Sequence, residues 1–289
     1  MIETTSEGHR ILIGSDGSRQ FMIDSDRIDA CIEYIERHDM RTIGINSFLG
    51  YKKAEINFLS EIADFVEGII VSDYFSDMSV LNDLYKLKTL GFRDNKKSVI
   101  NLSNFPDLST LACEYSKRLL SLESCEQLRD LTLTNFKPQN NTLEEVPRLS
   151  SLKRLSLFVT NINSLVGIGK FPQITELTIF RANKLKDISA LKDVSRTLTN
   201  LEFDACKRIE NYYVLGDLRI LERLIIGASA PISSLSFVRL LPRLDFLSFV
   251  GTNVVDGDLS LITGIGYVGF ENRRHYSHTF EEIANFRNR

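Results

Sequence analysis

Leu128-Arg-Asp-Leu131-Thr-Leu133 puts apolar residues at the first, fourth and sixth positions of a short window. Leu152-Lys-Arg-Leu155-Ser-Leu157 and Leu221-Glu-Arg-Leu224-Ile-Ile226 repeat that arrangement. Extending the phase of these three windows in both directions gives starts at Met40, Val66, Leu87, Leu108, Leu128, Leu152, Ile174, Leu198, Leu221, Leu244 and Ile265, with 20 to 26 residues between them. At all eleven starts the first, fourth and sixth positions are apolar, counting Cys113, which a 43% hydrophobic composition does not produce by chance. Self-similarity at such a period marks a repeat architecture.

The spacing has a direct physical reading. Positions four and six are two apart, so an extended strand sends both side chains to one face and positions three, five and seven to the other. Between strands the apolar period changes to about three: Ile162, Leu165, Ile168 and Phe171 lead into Ile174, and Ile232, Leu235, Val238 and Leu241 lead into Leu244. That period suits 3₁₀ or tight helical turns that keep one edge buried. Each unit thus runs strand, turn, short helical segment. A single unit cannot enclose its own apolar edge, so neighbours must stack.

These residues resemble the leucine-rich repeat proteins, in particular the 22-residue subclass of bacterial internalin-like proteins, over residues 40–272. The resemblance implies an α/β solenoid: a curved horseshoe of about eleven repeats, with a parallel sheet on the concave face and 3₁₀ or short helical segments on the convex face. The ninth position of the motif, usually an Asn bonded along the turns, is Asn95 in one unit. Elsewhere it is Ser116, Phe136, Thr160, Ala182, Cys206, Ser229 and Thr252. Phe136 and Ala182 cannot supply a side-chain hydrogen bond, so an irregular ladder is expected there.

A solenoid needs closed ends, since open ones leave core side chains and strand edges bare. Arg10-Ile-Leu-Ile13 and Gln20-Phe-Met-Ile23 flank Gly14-Ser-Asp-Gly17 as a hairpin. Ile28, Cys31, Ile32 and Ile35 then follow at helical spacing behind the capping oxygens of Asp24, Ser25 and Asp26. Residues 1–39 are expected to form this N-terminal cap, and residues 273–289 a C-terminal one whose helix, from Tyr276 to Phe286, buries Phe280, Ile283 and Phe286.

Composition narrows the function. The net charge of −3 and pI near 5.9 provide no general footprint for nucleic acid or an anionic membrane. The acidic N-terminus lacks the pattern of a signal peptide, and no run approaches the roughly 18 apolar residues of a membrane span, so a cytoplasmic location is expected, apart from secreted adhesins of the internalin kind. Cys31, Cys113, Cys125 and Cys206 show no paired spacing and read as reduced core thiols.

Converging catalytic groups are not evident. His275-Tyr-Ser-His278 is at most half a metal site, and an enzyme working at that end is the least favoured reading. Gly167-Ile-Gly169-Lys170 is too short for a phosphate loop and falls on the convex segment as a turn. No cofactor, metal or catalytic residue is expected.

What remains is the sheet surface. The seventh-position column contains Phe158 and Phe180 in adjacent repeats, followed by Asp204. The fifth is mostly small and contains Glu202. The third reads Arg154, Glu176, Asn200, Arg223, Phe246 and Tyr267. Two neighbouring aromatics bordered by Arg154, Glu176, Arg181, Glu202 and Asp204 have the make-up of a protein-binding patch, which Tyr115, Phe246 and Tyr267 extend. The expected activity is protein binding by a monomer: an immunity-type inhibitor neutralising a toxin or effector, or alternatively a regulatory subunit or scaffold of an endogenous enzyme.

Overall fold

The structure, a computed structural model, describes residues 1–287, and their side chains as far as residue 285. The chain divides into two compact units, Met1–Leu131 and Thr132–Arg289. In both, each start read from the sequence is followed two residues later by a strand.

The first unit opens with three antiparallel strands, β1 (Ile2–Thr4), β2 (Arg10–Ile13) and β3 (Arg19–Met22), and helix α1 (Ile28–Arg37). The hairpin is where the apolar pattern places it; β1, which adds a third strand by pairing Ile2 with Leu12, is too short to show in that pattern. Parallel strands follow: β4 (Thr42–Ile45), β5 (Gly68–Val71), β6 (Thr89–Phe92) and β8 (Thr110–Glu114). Two-residue strands β7 (Ile100–Asn101) and β9 (Leu119–Leu120) form a small separate sheet.

The capping of α1 departs from the sequence reading. Its N-cap is Arg27, without a side-chain bond, while Asp24 Oδ1 accepts the Asp26 N–H in the preceding turn. The buried stripe is Cys31, Tyr34 and Ile35, with Ile28 and Ile32 only half-buried. The stripe is rotated because the Tyr34 ring packs on His9 and Phe21, with centroids 4.6 and 5.3 Å away.

Strand β10 (Asp130–Thr134) carries the boundary between the units. Then come β11 (Arg154–Thr160), β12 (Glu176–Ala182), β13 (Asn200–Asp204), β14 (Arg223–Gly227), β15 (Phe246–Ser248) and β16 (Tyr267–Gly269), all parallel, and helix α2 (Phe280–Arg287). Short 3₁₀ segments such as Ile168–Lys170 and Ser236–Leu240 return the chain between strands. Ile162, Leu165, Ile168, Phe171, Ile232, Leu235, Val238 and Leu241 are all buried, as the period of three requires.

Helix α2 begins at Phe280, not Tyr276. Thr279 and Glu282 form a reciprocal capping box there: Glu282 N–H donates to Thr279 Oγ1 at 3.2 Å, and Thr279 N–H to Glu282 Oε2 at 2.8 Å. Tyr276 serves instead as a plug, its ring against Phe249 and Phe270 and its hydroxyl accepting the Val254 N–H. Ile283 is buried and Phe280 partly exposed, while the Phe286 side chain lies outside the described residues.

The ninth positions form a ladder over three repeats. Cys206 N–H donates to Ser229 Oγ (3.0 Å), and Ser229 N–H to Thr252 Oγ1 (2.9 Å). The Thr252 hydroxyl in turn donates to Ile226 O (2.6 Å) and the Cys206 thiol to Ile179 O (3.5 Å). Ala182 and Phe136 occupy the same position fully buried and have no polar side-chain atom, so their side chains add nothing to this ladder.

Candidate functional site

In the second unit the strand register brings together the columns read from the sequence. Arg154, Glu176, Asn200, Arg223, Phe246 and Tyr267 pair in succession. So do Ser156, Thr178, Glu202, Ile225, Ser248 and Gly269, and likewise Phe158, Phe180, Asp204 and Gly227. Phe158 and Phe180 face each other across β11 and β12 with ring centroids 5.9 Å apart, tilted by 54°. Both are half-buried on the face opposite Leu155, Leu157, Leu177 and Ile179, which lie in the core.

A repeated backbone device sets that orientation. Immediately after the seventh position the chain enters the left-handed region at Asn135, Val159, Arg181, Ala205 and Ala228, with φ of 55°, 58°, 54°, 53° and 42°. The pairing skips this residue in β11 and β12 and resumes at Thr160 with Ala182, both buried. One left-handed residue thus lets the seventh side chain stand out and the ninth turn in. It also carries the Arg181 guanidinium back over the Phe180 ring, 5.0 Å from its centroid, within range of a cation–π contact.

The third column holds a second cluster. Arg223 Cζ lies 3.6 Å from the Phe246 centroid, and Phe246 stacks on Tyr267 at 4.4 Å and 16°. Sequence reasoning named Phe246 and Tyr267 but left Arg223 out of the patch. The available signal was its place in the same column, one strand before Phe246. Tyr115 follows β8 in the first unit at an eighth position and belongs to none of these columns.

Between the two clusters lies a shallow dent of about 90 Å³ formed by Glu176, Thr178, Asn200, Glu202 and Arg223. Burial pushes the Glu202 carboxyl above its ordinary value, and neighbouring Asp204 adds to the shift while Arg223 opposes it. The face therefore offers an apolar pair, a cation stacked on aromatics and a partly desolvated carboxylate. These groups suit contact with another protein.

The two C-terminal histidines point to different partners. His275 Nε2 lies 2.9 Å from Val254 O, and His278 Nδ1 lies 2.9 Å from Ser277 Oγ. Among the described residues no three His, Cys, Asp or Glu side chains converge in a metal-ligating group, and no helix is long and apolar enough to cross a membrane. Gly167 and Lys170 serve the turn: the lysine ammonium donates to Glu144 O at 2.6 Å and Val146 O at 3.2 Å.

No protein-family model matches the chain, and no curated protein matches it in sequence. Among solved structures, an internalin (inlF) from Listeria monocytogenes str. 4b F2365 aligns with a TM-score of 0.52 at 18% identity, over 90% of this chain and 85% of that one. The functional domain of InlJ from Listeria monocytogenes, which includes a cysteine ladder, aligns with a TM-score of 0.49 at 16% identity, over 80% of this chain and 62% of that one. Stacked parallel strands in register, 3₁₀ returns and the inlF likeness agree: the chain has the leucine-rich repeat fold found in internalins.

Proposed function

We propose that the sheet face of the second unit binds a protein partner, and that the chain acts through this binding rather than by catalysis. The observation that carries the reading is the in-register Phe158–Phe180 pair, half-buried on an open sheet face, with Arg181 over one ring, Asp204 in register beside Phe180, and Glu202, Glu176 and Arg154 farther back along the same face. Interface centres of this kind combine aromatic anchors with a charged rim, and a few anchors hold most of the affinity. The Arg223–Phe246–Tyr267 stack supplies a second anchor on the same face.

The role we favour is that of an immunity-type inhibitor which neutralises a toxin or effector by covering it. Supporting this is the unbroken register from β11 to β16, which presents one continuous face to a partner. Phe180→Ala should weaken partner binding by about 2 kcal/mol or more while leaving the fold intact. Affinity capture with the wild-type chain beside a Phe158→Ala/Phe180→Ala variant, read by mass spectrometry, checks it. Loss of one protein with the variant identifies the partner, and loss of that protein's toxic activity on mixing supports inhibition. An identical set of captured proteins would move the working surface elsewhere.

A further inference from the structure

The first unit carries a feature that the sheet-face reading does not use. Phe48 is 92% exposed, yet the turn beneath it is held firmly. Asn46 Oδ1 accepts the Phe48 N–H at 2.9 Å, and Asp73 accepts both the N–H and the hydroxyl of Ser47 at 2.6 and 2.9 Å. Gly50 closes the turn at φ 116°, a conformation that other residues rarely adopt. An apolar ring fully in water on a rigid support loses little freedom on docking, which is the condition for an anchor.

Beside that turn lie two adjoining clefts of about 470 and 380 Å³, which share the wall Tyr74, Phe75 and Ser76. Lys52 and Lys53 line the first, Lys96 and Lys97 the second. Their backbones are fixed as well: the N–H groups of Lys52, Lys96 and Lys97 donate to Ser25 Oγ, Asp94 Oδ1 and Asn95 Oδ1. All four side chains are exposed, and none forms an ion pair among the described residues. The Arg93 guanidinium lies over the Tyr74 ring at 4.2 Å, adding a fifth positive charge at the shared wall.

We propose that these clefts bind an extended acidic polypeptide segment of a partner protein, with Phe48 packing on its apolar residue and the two lysine pairs each taking a carboxylate. The pairs lie in the loops after β4 and β6, strands that flank β5 and so stand about 9–10 Å apart in the sheet. A polyproline II segment rises about 3.1 Å per residue with three residues per turn, so carboxylates at positions i and i+3 lie on one side at that separation. Carboxylates Asp73, Asp94 and Glu114 line the same clefts. They would repel an unbroken phosphate chain but leave room for single acidic side chains at the lysines, which favours protein over nucleic acid.

The test is fluorescence anisotropy with the full chain and a labelled peptide, Gly-Leu-Pro-Glu-Pro-Pro-Glu-Pro-Gly, beside the same peptide with both glutamates replaced by glutamine. Saturable binding of the acidic peptide, weakened roughly tenfold or more by the glutamine form and by Lys52→Glu/Lys96→Glu, is expected. Phe48→Ala should weaken it severalfold. Binding should persist in Phe158→Ala/Phe180→Ala, so this inference and the sheet-face reading fail separately. If charge reversal disturbs thermal unfolding, Lys52→Ala/Lys96→Ala repeats the test without it. Equal binding of the two peptides, indifference to the lysine substitutions, or no binding of the acidic peptide would overturn the proposal. Lysine-dependent binding of a ten-nucleotide oligothymidylate in its place would reassign the clefts to nucleic acid and overturn it too.

Discussion

Val159 holds a left-handed backbone at φ 58° although it is β-branched, a combination that costs about 1–2 kcal/mol. The chain tolerates it because the skipped pairing at that residue lets Phe158 stand out on one side and Thr160 turn in on the other. Val159→Gly should therefore raise stability by up to about 1 kcal/mol, the relieved strain being partly offset by the greater freedom of glycine in the unfolded chain. Urea denaturation checks this, and a lower midpoint would show that the valine side chain contributes more than its backbone costs. Gly167 is the reverse case. Its φ is 99°, and a Cβ there would sit 2.8 Å from Glu144 N and from the Leu143 carbonyl carbon, backbone atoms of the preceding repeat. Gly167→Ala should cost about 2 kcal/mol or more in the same measurement. An effect under about 0.5 kcal/mol would mean that the turn yields more readily than its packing suggests.

At the scale of elements, the strands were legible down to their register because a period of two leaves only one way to bury positions four and six. Phe158 could be placed opposite Phe180 on that basis alone. The ends were less legible. Helix α2 starts four residues after the apolar spacing suggests, because Tyr276 is taken up in covering Phe249 and Phe270 and the Thr279–Glu282 box supplies the actual start. The ladder was legible only in its gaps: Phe136 and Ala182 break it, as their chemistry requires, while the linkage of Cys206, Ser229 and Thr252 depends on geometry that spacing does not encode. Ser229→Ala should cost about 1–3 kcal/mol, since it leaves the buried Cys206 N–H without its acceptor. Hydrogen exchange at the Cys206 amide should quicken at the same time; an unchanged rate would mean that another group takes over the bond.

Across the whole molecule, the periodic part of the chain declared itself and the aperiodic part did not. The sheet-face columns could be read off before any coordinate, whereas the lysine clefts lie in loops of the first unit, where Phe48, Lys52 and Lys96 obey no repeat. Arg223 was missed for a related reason: column membership shows which residues are neighbours, not which of them stack. The four thiols lead to a last consequence. Cys31, Cys113, Cys125 and Cys206 are all buried, and burial lifts each above the ordinary thiol range, Cys113 to about 12 and both Cys125 and Cys206 to about 11. An alkylating reagent reacts with thiolate, so each must wait for its own surroundings to open before it is labelled. With one thiol on α1, two in the repeat that starts at Leu108 and one in the ladder, the unmodified chain has its own set of clocks, and four labelling rates would time the opening of the solenoid at four points along its length.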